Sequence, residues 1–253
     1  MSLETQVYTE EEIEHMRESV DRKGVLACRN EVDLQNFYVS KIKEICERNR
    51  YSLNTLAVAV RLFKLFFLEN TLLEMDGKHT MLAAIFLAAK IDNNHLTVDV
   101  LAKRIPNINS SLVVHLEFSV LSQTATRLWY PNILSVLRGN LALLSLQLEN
   151  PETSAELYRN TKNKIVAAVQ TDAILKIPPT QLVLSVLCLE GTEMGIDMDR
   201  HVHTIQALSG NNSLAASISA CAVSIKKHIE ENIPADKAEL KETDRKILLY
   251  RKQ

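Results

Sequence analysis

Glycine and proline are scarce in this chain, with six of each among 253 residues. Average proteins carry roughly 12% of these two residue types together, and all-β proteins need many of them for tight turns. Their scarcity argues against an all-β fold and favours helices joined by short polar connections. Hydrophobic residues make up 46% and charged residues 24% of the chain, an ordinary balance for a globular protein.

Paired cysteines and long apolar runs are also missing. The four cysteines, Cys28, Cys46, Cys188 and Cys221, form no C-x-x-C pair, which argues against a zinc ribbon or a redox motif. Scattered single cysteines are typical of a reducing intracellular compartment. The longest apolar run, residues 81–89, is about half the length that spans a bilayer, so we expect no membrane partner.

The chain has no surplus of basic charge. Its 29 basic and 31 acidic residues give a net charge of −2, whereas a nucleic-acid binder usually carries a basic surplus to neutralise phosphates. We therefore expect no direct contact with nucleic acid. The last predicted helix mixes basic and acidic residues, which is typical of a solvated face.

Catalytic and metal-binding motifs are absent as well. The chain has no G-x-G-x-x-G, G-x-x-x-x-G-K, H-E-x-x-H or G-x-S-x-G, and phosphate-binding loops need such clustered glycines. His201 and His203 form the only close histidine pair and have no third ligand nearby, which favours surface histidines over a metal site. The sequence thus predicts no catalytic residue, no cofactor and no metal.

What the chain does have is helical periodicity, beginning with a capping box. Thr9 can accept a hydrogen bond from a free backbone N–H, and Glu12, three residues on, can reach back. Ile13, Met16 and Val20 then follow at i, i+3 and i+7, which is one apolar stripe of a helix.

Two segments are apolar on almost every side, and they begin roughly 100 residues apart, at 80–90 and 181–189. Such helices must be buried all round, and amphipathic segments surround each of them. One of these is predicted at about 33–49, with Phe37 and Ile42 facing inward. The pattern reads as a lone helix, five helices, five helices and a lone helix, which predicts an all-α fold with two tandem repeats.

Four stretches carry a resemblance to a known family. Residues 87–92, Leu-Ala-Ala-Lys-Ile-Asp, resemble the cyclin-box signature, and residues 61–67 resemble the preceding cyclin-box helix. Residues 7–23 and 171–183 are similar to the cyclin H group. In order and spacing, the resemblance covers nearly the whole chain.

The resemblance implies two five-helix cyclin boxes with flanking helices. It places an N-terminal helix and lead-in at 1–32, the first box at 33–128, the second at 129–232 and a C-terminal helix at 233–253. It also implies a non-catalytic nuclear subunit that binds and activates a cyclin-dependent kinase, with a third assembly subunit. In that group the complex phosphorylates other cyclin-dependent kinases and the tail of RNA polymerase II.

The resemblance also implies a kinase-binding surface between the third and fifth helices of the first box. Lys90 matches the family lysine that donates to backbone carbonyls flanking the kinase's mobile helix. The alternative is a lysine that only complements the end of its helix. Leu87, Ile91 and Phe118 match the apolar pocket, and the alternative for each is plain core.

The chain departs from the family at the acid that pairs with this lysine. Val114 stands where the family has a glutamate, and Glu117 lies one helical turn later, from which it could approach the lysine. Alternatively, Glu117 is an exposed surface carboxylate. Met16 and Val20 lie on a helix that can touch the kinase in the cyclin H group, or they pack only on their own core.

Other functions are kept open. The chain could be another transcription-type cyclin, of the C, K, T or L kind. A cyclin-fold transcription factor core that binds promoter DNA should be basic and carry a zinc ribbon, and this chain has neither feature. A helical-repeat scaffold should have a period of about 30–50 residues, shorter than the period seen here.

Overall fold

The computed structural model describes residues 5–94, 97–102, 105, 107–124, 130–148 and 150–252, and all regular structure within them is helical. This confirms the predicted all-α fold. The helices of this part of the chain are α1 (Glu10–Ser19), α2 (Cys28–Arg48), α3 (Leu53–Glu69), α4 (Gly77–Ile91), α5 (Val98–Ala102), α6 (Ser110–Thr124), α7 (Ile133–Ser145), α8 (Pro151–Val169), α9 (Ala173–Lys176), α10 (Pro179–Glu193), α11 (Met198–Ser209), α12 (Leu214–Glu231) and α13 (Lys237–Tyr250). None of these helices is both long and apolar enough to cross a membrane.

The chain forms two compact units, Tyr8–Trp129 with Ile233–Gln253, and Tyr130–Asn232 with Met1–Val7. In the first unit α4 is central and packs against α2, α3 and α6, while α1 packs on α3 and α13 on α2. In the second unit α10 is central and packs against α7, α8 and α12. The predicted box boundary at 128/129 lies outside the described residues and stays a prediction.

The two central helices of the first unit, α3 and α4, are buried because their side chains are mostly apolar on every side. Every side chain of α3 from Leu53 to Leu68 is buried, and α4 is buried from Thr80 to Ala89. The start of α4 approaches α2 closely, because a Cβ on Gly77 would lie 2.6 Å from the ring of Tyr38. Glycine at this position lets the two helices meet.

The predicted capping box opens α1. The backbone N–H of Thr9 donates to the Glu12 carboxylate at 2.7 Å, and the N–H of Glu12 donates to the Thr9 hydroxyl at 3.2 Å. Ile13 is fully buried where α1 packs on α3. The helix ends at Ser19, so Val20 caps it rather than continuing it.

Helix α2 differs from its prediction in two respects. It begins at Cys28, five residues before the expected start, because Ala27 at its N-cap offers no side-chain hydrogen bond that a sequence could reveal. Phe37 was predicted to face inward, and this is wrong, since 39% of its surface is exposed. The buried stripe of α2 runs through Leu34, Val39 and Ile42, and Phe37 lies beside it.

Two smaller differences concern short helices. The single-turn helix α9 was not predicted; it has four residues and its N-cap, Asp172, makes no side-chain capping bond. The sequence also predicts a short helix at about 98–104, because Pro106 stops it. The structure describes this helix over Val98–Ala102, and residues 103 and 104 lie outside the described part of the chain.

Candidate protein-interaction site

The last turn of α4 brings a lysine against a carboxylate of α6. Lys90 Nζ lies 2.6 Å from Glu117 Oε1, with the lysine side chain 50% and the glutamate side chain 12% exposed. Glu117 is therefore not the exposed carboxylate of the alternative interpretation. It reaches the lysine from one turn beyond Val114, where the family has its acid. A cation in the last turn also complements the helix dipole.

Lys90 makes a second contact with its own helix. Its Nζ lies 4.1 Å from the centroid of the Phe86 ring, within the range of a cation–π interaction. An ammonium group carries three N–H donors, and Glu117 is its one hydrogen-bond acceptor among the described residues. Two donors thus remain for carbonyl oxygens of a partner.

Exposed apolar side chains flank this ion pair. Phe118 on α6 is 69% exposed, and Val114 and Ile91 are also exposed. Val114 and Phe118 are four residues apart on α6 and so lie on one face of that helix. We call Lys90, Ile91, Val114, Glu117 and Phe118 the α4–α6 surface. Several exposed apolar side chains on neighbouring helices, together with a charged pair, are typical of a protein-interaction site.

The remaining predicted site residues lie elsewhere. Leu87 is buried in the core of the first unit, so most of its side chain faces its own protein. Met16 and Val20 are half-buried at α1, a different helix from those that form the α4–α6 surface. Contact of these three residues with a kinase stays a prediction.

A polar cluster fixes the end of α4, and the sequence did not reveal its role. The Asp92 carboxylate, directly after α4, accepts bonds from Asn54 Nδ2 at 2.9 Å and Thr55 Oγ1 at 2.6 Å, and also from the Ser52 hydroxyl. These groups lie at the start of α3, where a helix favours negative charge. Because Asp92 anchors the end of α4, it also positions Lys90.

The sequence predicted that His201 and His203 are both surface residues, and for His201 this is wrong. His203 is exposed but His201 is fully buried, and burial lowers the pKa of His201. The reason is packing: the His201 Nε2 lies 3.3 Å from Asn140 Oδ1 on α7. No cluster of three or more potential metal ligands occurs in the described ranges of the chain.

The four cysteines are free thiols, and burial disfavours the thiolate form of Cys46 and Cys188. Burial raises the pKa of Cys46 and of Cys188 to about 12. The thiolate is the nucleophilic form of cysteine, so neither residue is a nucleophile near neutral pH.

Sequence comparison identifies relatives of the chain, although no protein-family model matches it. Cyclin CCL1 of Saccharomyces cerevisiae is 30% identical over 193 residues, covering 72% of this chain and 46% of that protein. Cyclin-H1-1 of Arabidopsis thaliana is 23% identical over 227 residues, covering 88% of this chain and 67% of that protein. The chain thus spans about half the length of the yeast relative.

Solved structures share the fold. The CAK complex of Chaetomium thermophilum bound to ATP-γ-S contains a chain with a TM-score of 0.80 at 18% identity, covering 96% of this chain and 85% of that one. The yeast TFIIK (Kin28/Ccl1/Tfb3) complex contains a chain with a TM-score of 0.72 at 26% identity. The match covers 87% of this chain and 95% of that one. In sequence the chain is similar to cyclins of the H type, and its fold is that of cyclin chains in solved structures.

Proposed function

We propose that this chain is a cyclin H-type regulatory subunit that binds and activates a cyclin-dependent kinase through the α4–α6 surface. One observation carries the proposal: the half-exposed Lys90 pairs with Glu117, and the next residue in the chain after each of them, Ile91 and Phe118, exposes an apolar side chain. The chain itself is non-catalytic in this proposal. Its yeast relative CCL1 shares 30% identity with it, and a Ccl1 chain is part of a complex with Kin28 and Tfb3.

Activation follows from what a kinase needs before phosphoryl transfer. Its strand lysine must pair with a glutamate on a mobile helix, and a partner that binds only this arrangement shifts the population toward it. Ile91 and Phe118 would bury apolar side chains of the mobile helix. Lys90, held by Glu117 on one side, would donate its remaining N–H groups to backbone carbonyls beside that helix.

The wider assembly is proposed from the same relatives. The complex would contain a third assembly subunit, as the TFIIK complex contains Tfb3. It would act in the nucleus, phosphorylating other cyclin-dependent kinases and the tail of RNA polymerase II. The match covers 46% of the yeast relative, so the roles of the whole complex are part of this proposal.

Charge reversal at Lys90 tests the proposal. The chain would be co-expressed with the candidate activating kinase of the same organism, as wild type and as Lys90→Glu, and scored for co-purification and kinase activity. We expect the variant to lose at least about tenfold in both, because a charge reversed within a buried contact costs several kcal/mol. Lys226→Glu, on exposed residue Lys226 of α12, is the matched control and should behave as wild type.

A charge swap separates the two roles of Lys90. In Lys90→Glu/Glu117→Lys the internal ion pair can re-form, but the cation no longer stands at the end of α4. We expect activation to stay low, because the kinase carbonyls need the cation at that position. Full recovery would show that Lys90 acts only through Glu117. If the folded wild-type chain bound no transcription-type kinase, the promoter-DNA alternative would become the leading one.

A further inference from the structure

The second unit contains a helix that matches α4 in position and length. Helices α4 and α10 are both 15 residues long and central in their units. Their residues correspond at a spacing of 102, so that the exposed end residues Lys90 and Ile91 of α4 correspond to Thr192 and Glu193 of α10. The end of α10 is therefore the counterpart of the end of α4.

The same spacing relates α6 to α12. The buried residues Leu116 and Val120 of α6 correspond to the buried residues Ile218 and Ala222 of α12. The position of Glu117 is then taken by Ser219. The second unit thus has its own version of the α4–α6 surface, between α10 and α12.

Smaller side chains make this second version concave. Cys188 stands where α4 has Phe86, and Ser219 stands where α6 has Glu117. A cleft of ≈ 430 Å³ lies there, lined by residues of α10, α11 and α12. Its volume is that of a site for a sizeable ligand group. Met198 and Val202 of α11 contribute to its apolar lining.

The charged lining of the cleft has one sign. Glu193 and Asp199 line it, and no lysine or arginine does. Glu193 is 3.2 Å from Lys164, which also binds Glu190. Asp199 is exposed and makes no ion pair within the described ranges of the chain. Its carboxylate acts together with burial to raise the pKa of the neighbouring thiol of Cys188.

We propose that this α10–α12 cleft binds a segment of a partner protein in which a bulky apolar side chain lies next to a lysine or arginine. The apolar side chain fills the space that Cys188 and Ser219 leave open. The basic residue pairs with Asp199, whose carboxylate also repels acidic segments. The cleft lies within the second unit, so the inference does not depend on the kinase-binding role of the α4–α6 surface.

A peptide-display selection on the full chain tests the inference. Randomised 12-residue peptides would be selected against the wild-type chain, and bound sequences would be measured individually by fluorescence anisotropy. We expect enriched sequences to combine a bulky apolar residue with a lysine or arginine within one helical turn. Absence of enrichment, or enrichment of acidic sequences, would overturn the inference.

Two kinds of variant locate the binding. Ala222→Phe fills the cleft and should weaken binding at least about tenfold, whereas Val223→Phe, at a neighbouring position that is 73% exposed and outside the lining, should not. Asp199→Lys should weaken the same peptides about three- to tenfold, as expected for removing a rim charge pair. Circular dichroism checks that both variants fold. If Ala222→Phe does not fold, the peptide affinity of Asp199→Lys alone tests the inference.

The outcomes separate the inference from the proposed function. If the peptides bind Ala222→Phe or Asp199→Lys with the same affinity as the wild-type chain, the α10–α12 cleft is not their binding site. Lys90→Glu should leave peptide binding unchanged, and Ala222→Phe should leave kinase co-purification unchanged. Loss of peptide binding in Lys90→Glu would place the peptides on the α4–α6 surface and overturn the inference.

Discussion

Glu31 is a charged side chain in a fully buried position. Its carboxylate is fully buried, 2.5 Å from Arg22 Nε, and it accepts hydrogen bonds from the Thr71 hydroxyl at 2.7 Å and the Leu72 N–H at 2.5 Å. Arg22 also donates to the backbone carbonyl of Arg17. A buried charge persists only when it is paired and hydrogen-bonded in this way.

Glu31→Gln should therefore destabilise the chain strongly. The amide keeps the size of the side chain but leaves the Arg22 guanidinium buried without a counter-charge, which costs about 3–5 kcal/mol. Glu44→Gln is the control, because Glu44 pairs with Lys41 at 2.7 Å on the surface, and solvent screens such pairs so that they contribute little to stability. Urea unfolding measures both variants, and equal losses would contradict the assigned role of Glu31.

His201 should make stability depend on pH. Burial lowers its pKa below the ordinary value of 6.5, so the unfolded chain takes up the proton first as pH falls. The contribution of neutral His201 is fully present above about pH 6.5 and is lost as pH drops from there toward the folded pKa, by at most about 1.4 kcal/mol per pH unit.

Urea unfolding of wild type and His201→Gln between pH 7.5 and pH 5 checks this expectation. The glutamine variant should lose less stability on acidification than wild type, because it removes the buried titrating group. His203→Gln, at an exposed position, should follow wild type. A His201→Gln curve parallel to wild type would contradict this expectation, because it would mean that His201 has the same pKa in the folded and the unfolded chain.

At the scale of the helices, periodicity predicted most of the fold. The capping box located α1, and the two all-round apolar segments located α4 and α10, because burial on every side leaves a pattern in the sequence. The start of α2 was predicted too late in the chain, because its N-cap, Ala27, has no polar side chain that marks the beginning of a helix. Buried polar side chains such as Glu31 and His201 were not predicted, since their burial depends on partners distant in the chain.

The candidate site was predicted unevenly for the same reason. Resemblance and helical spacing indicated Lys90 and Glu117, because both signals can be recognised within a single helix. The role of Asp92 was missed because its partners lie 37–40 residues away. The α10–α12 cleft arises from missing side-chain volume at Cys188 and Ser219, and small residues alone do not indicate an open space.

At the scale of the first unit, distant segments meet at the loop between α3 and α4. Arg251, just after α13, donates to the backbone carbonyls of Leu72, Leu73 and Met75 and pairs with Asp76 at 2.8 Å. Glu31 also binds this loop, because its carboxylate accepts the Leu72 N–H. The flanking segments therefore stabilise the loop from which α4 begins.

Arg251→Ala should loosen α13 and the start of α4 together. Losing several hydrogen bonds from a charged group, each worth about 1.5–3 kcal/mol at most, should raise amide exchange in both segments. Hydrogen exchange with mass spectrometry measures this, and Arg245→Ala is the control because Arg245 is exposed and 3.9 Å from Glu242. Faster exchange confined to α13 would show that the loop does not need Arg251.

The carbonyl acceptors of Arg251 precede it by 176–179 residues, and this separation sets an order on the ribosome. At translation rates of about 5–20 residues per second, the loop waits roughly 10–35 s for its arginine. By then all of Tyr130–Asn232, the bulk of the second unit, has been synthesised. The segment Tyr8–Trp129, synthesised before Tyr130–Asn232, thus gains its contacts with Arg251 only afterwards, and a stop codon anywhere before position 251 would remove those contacts.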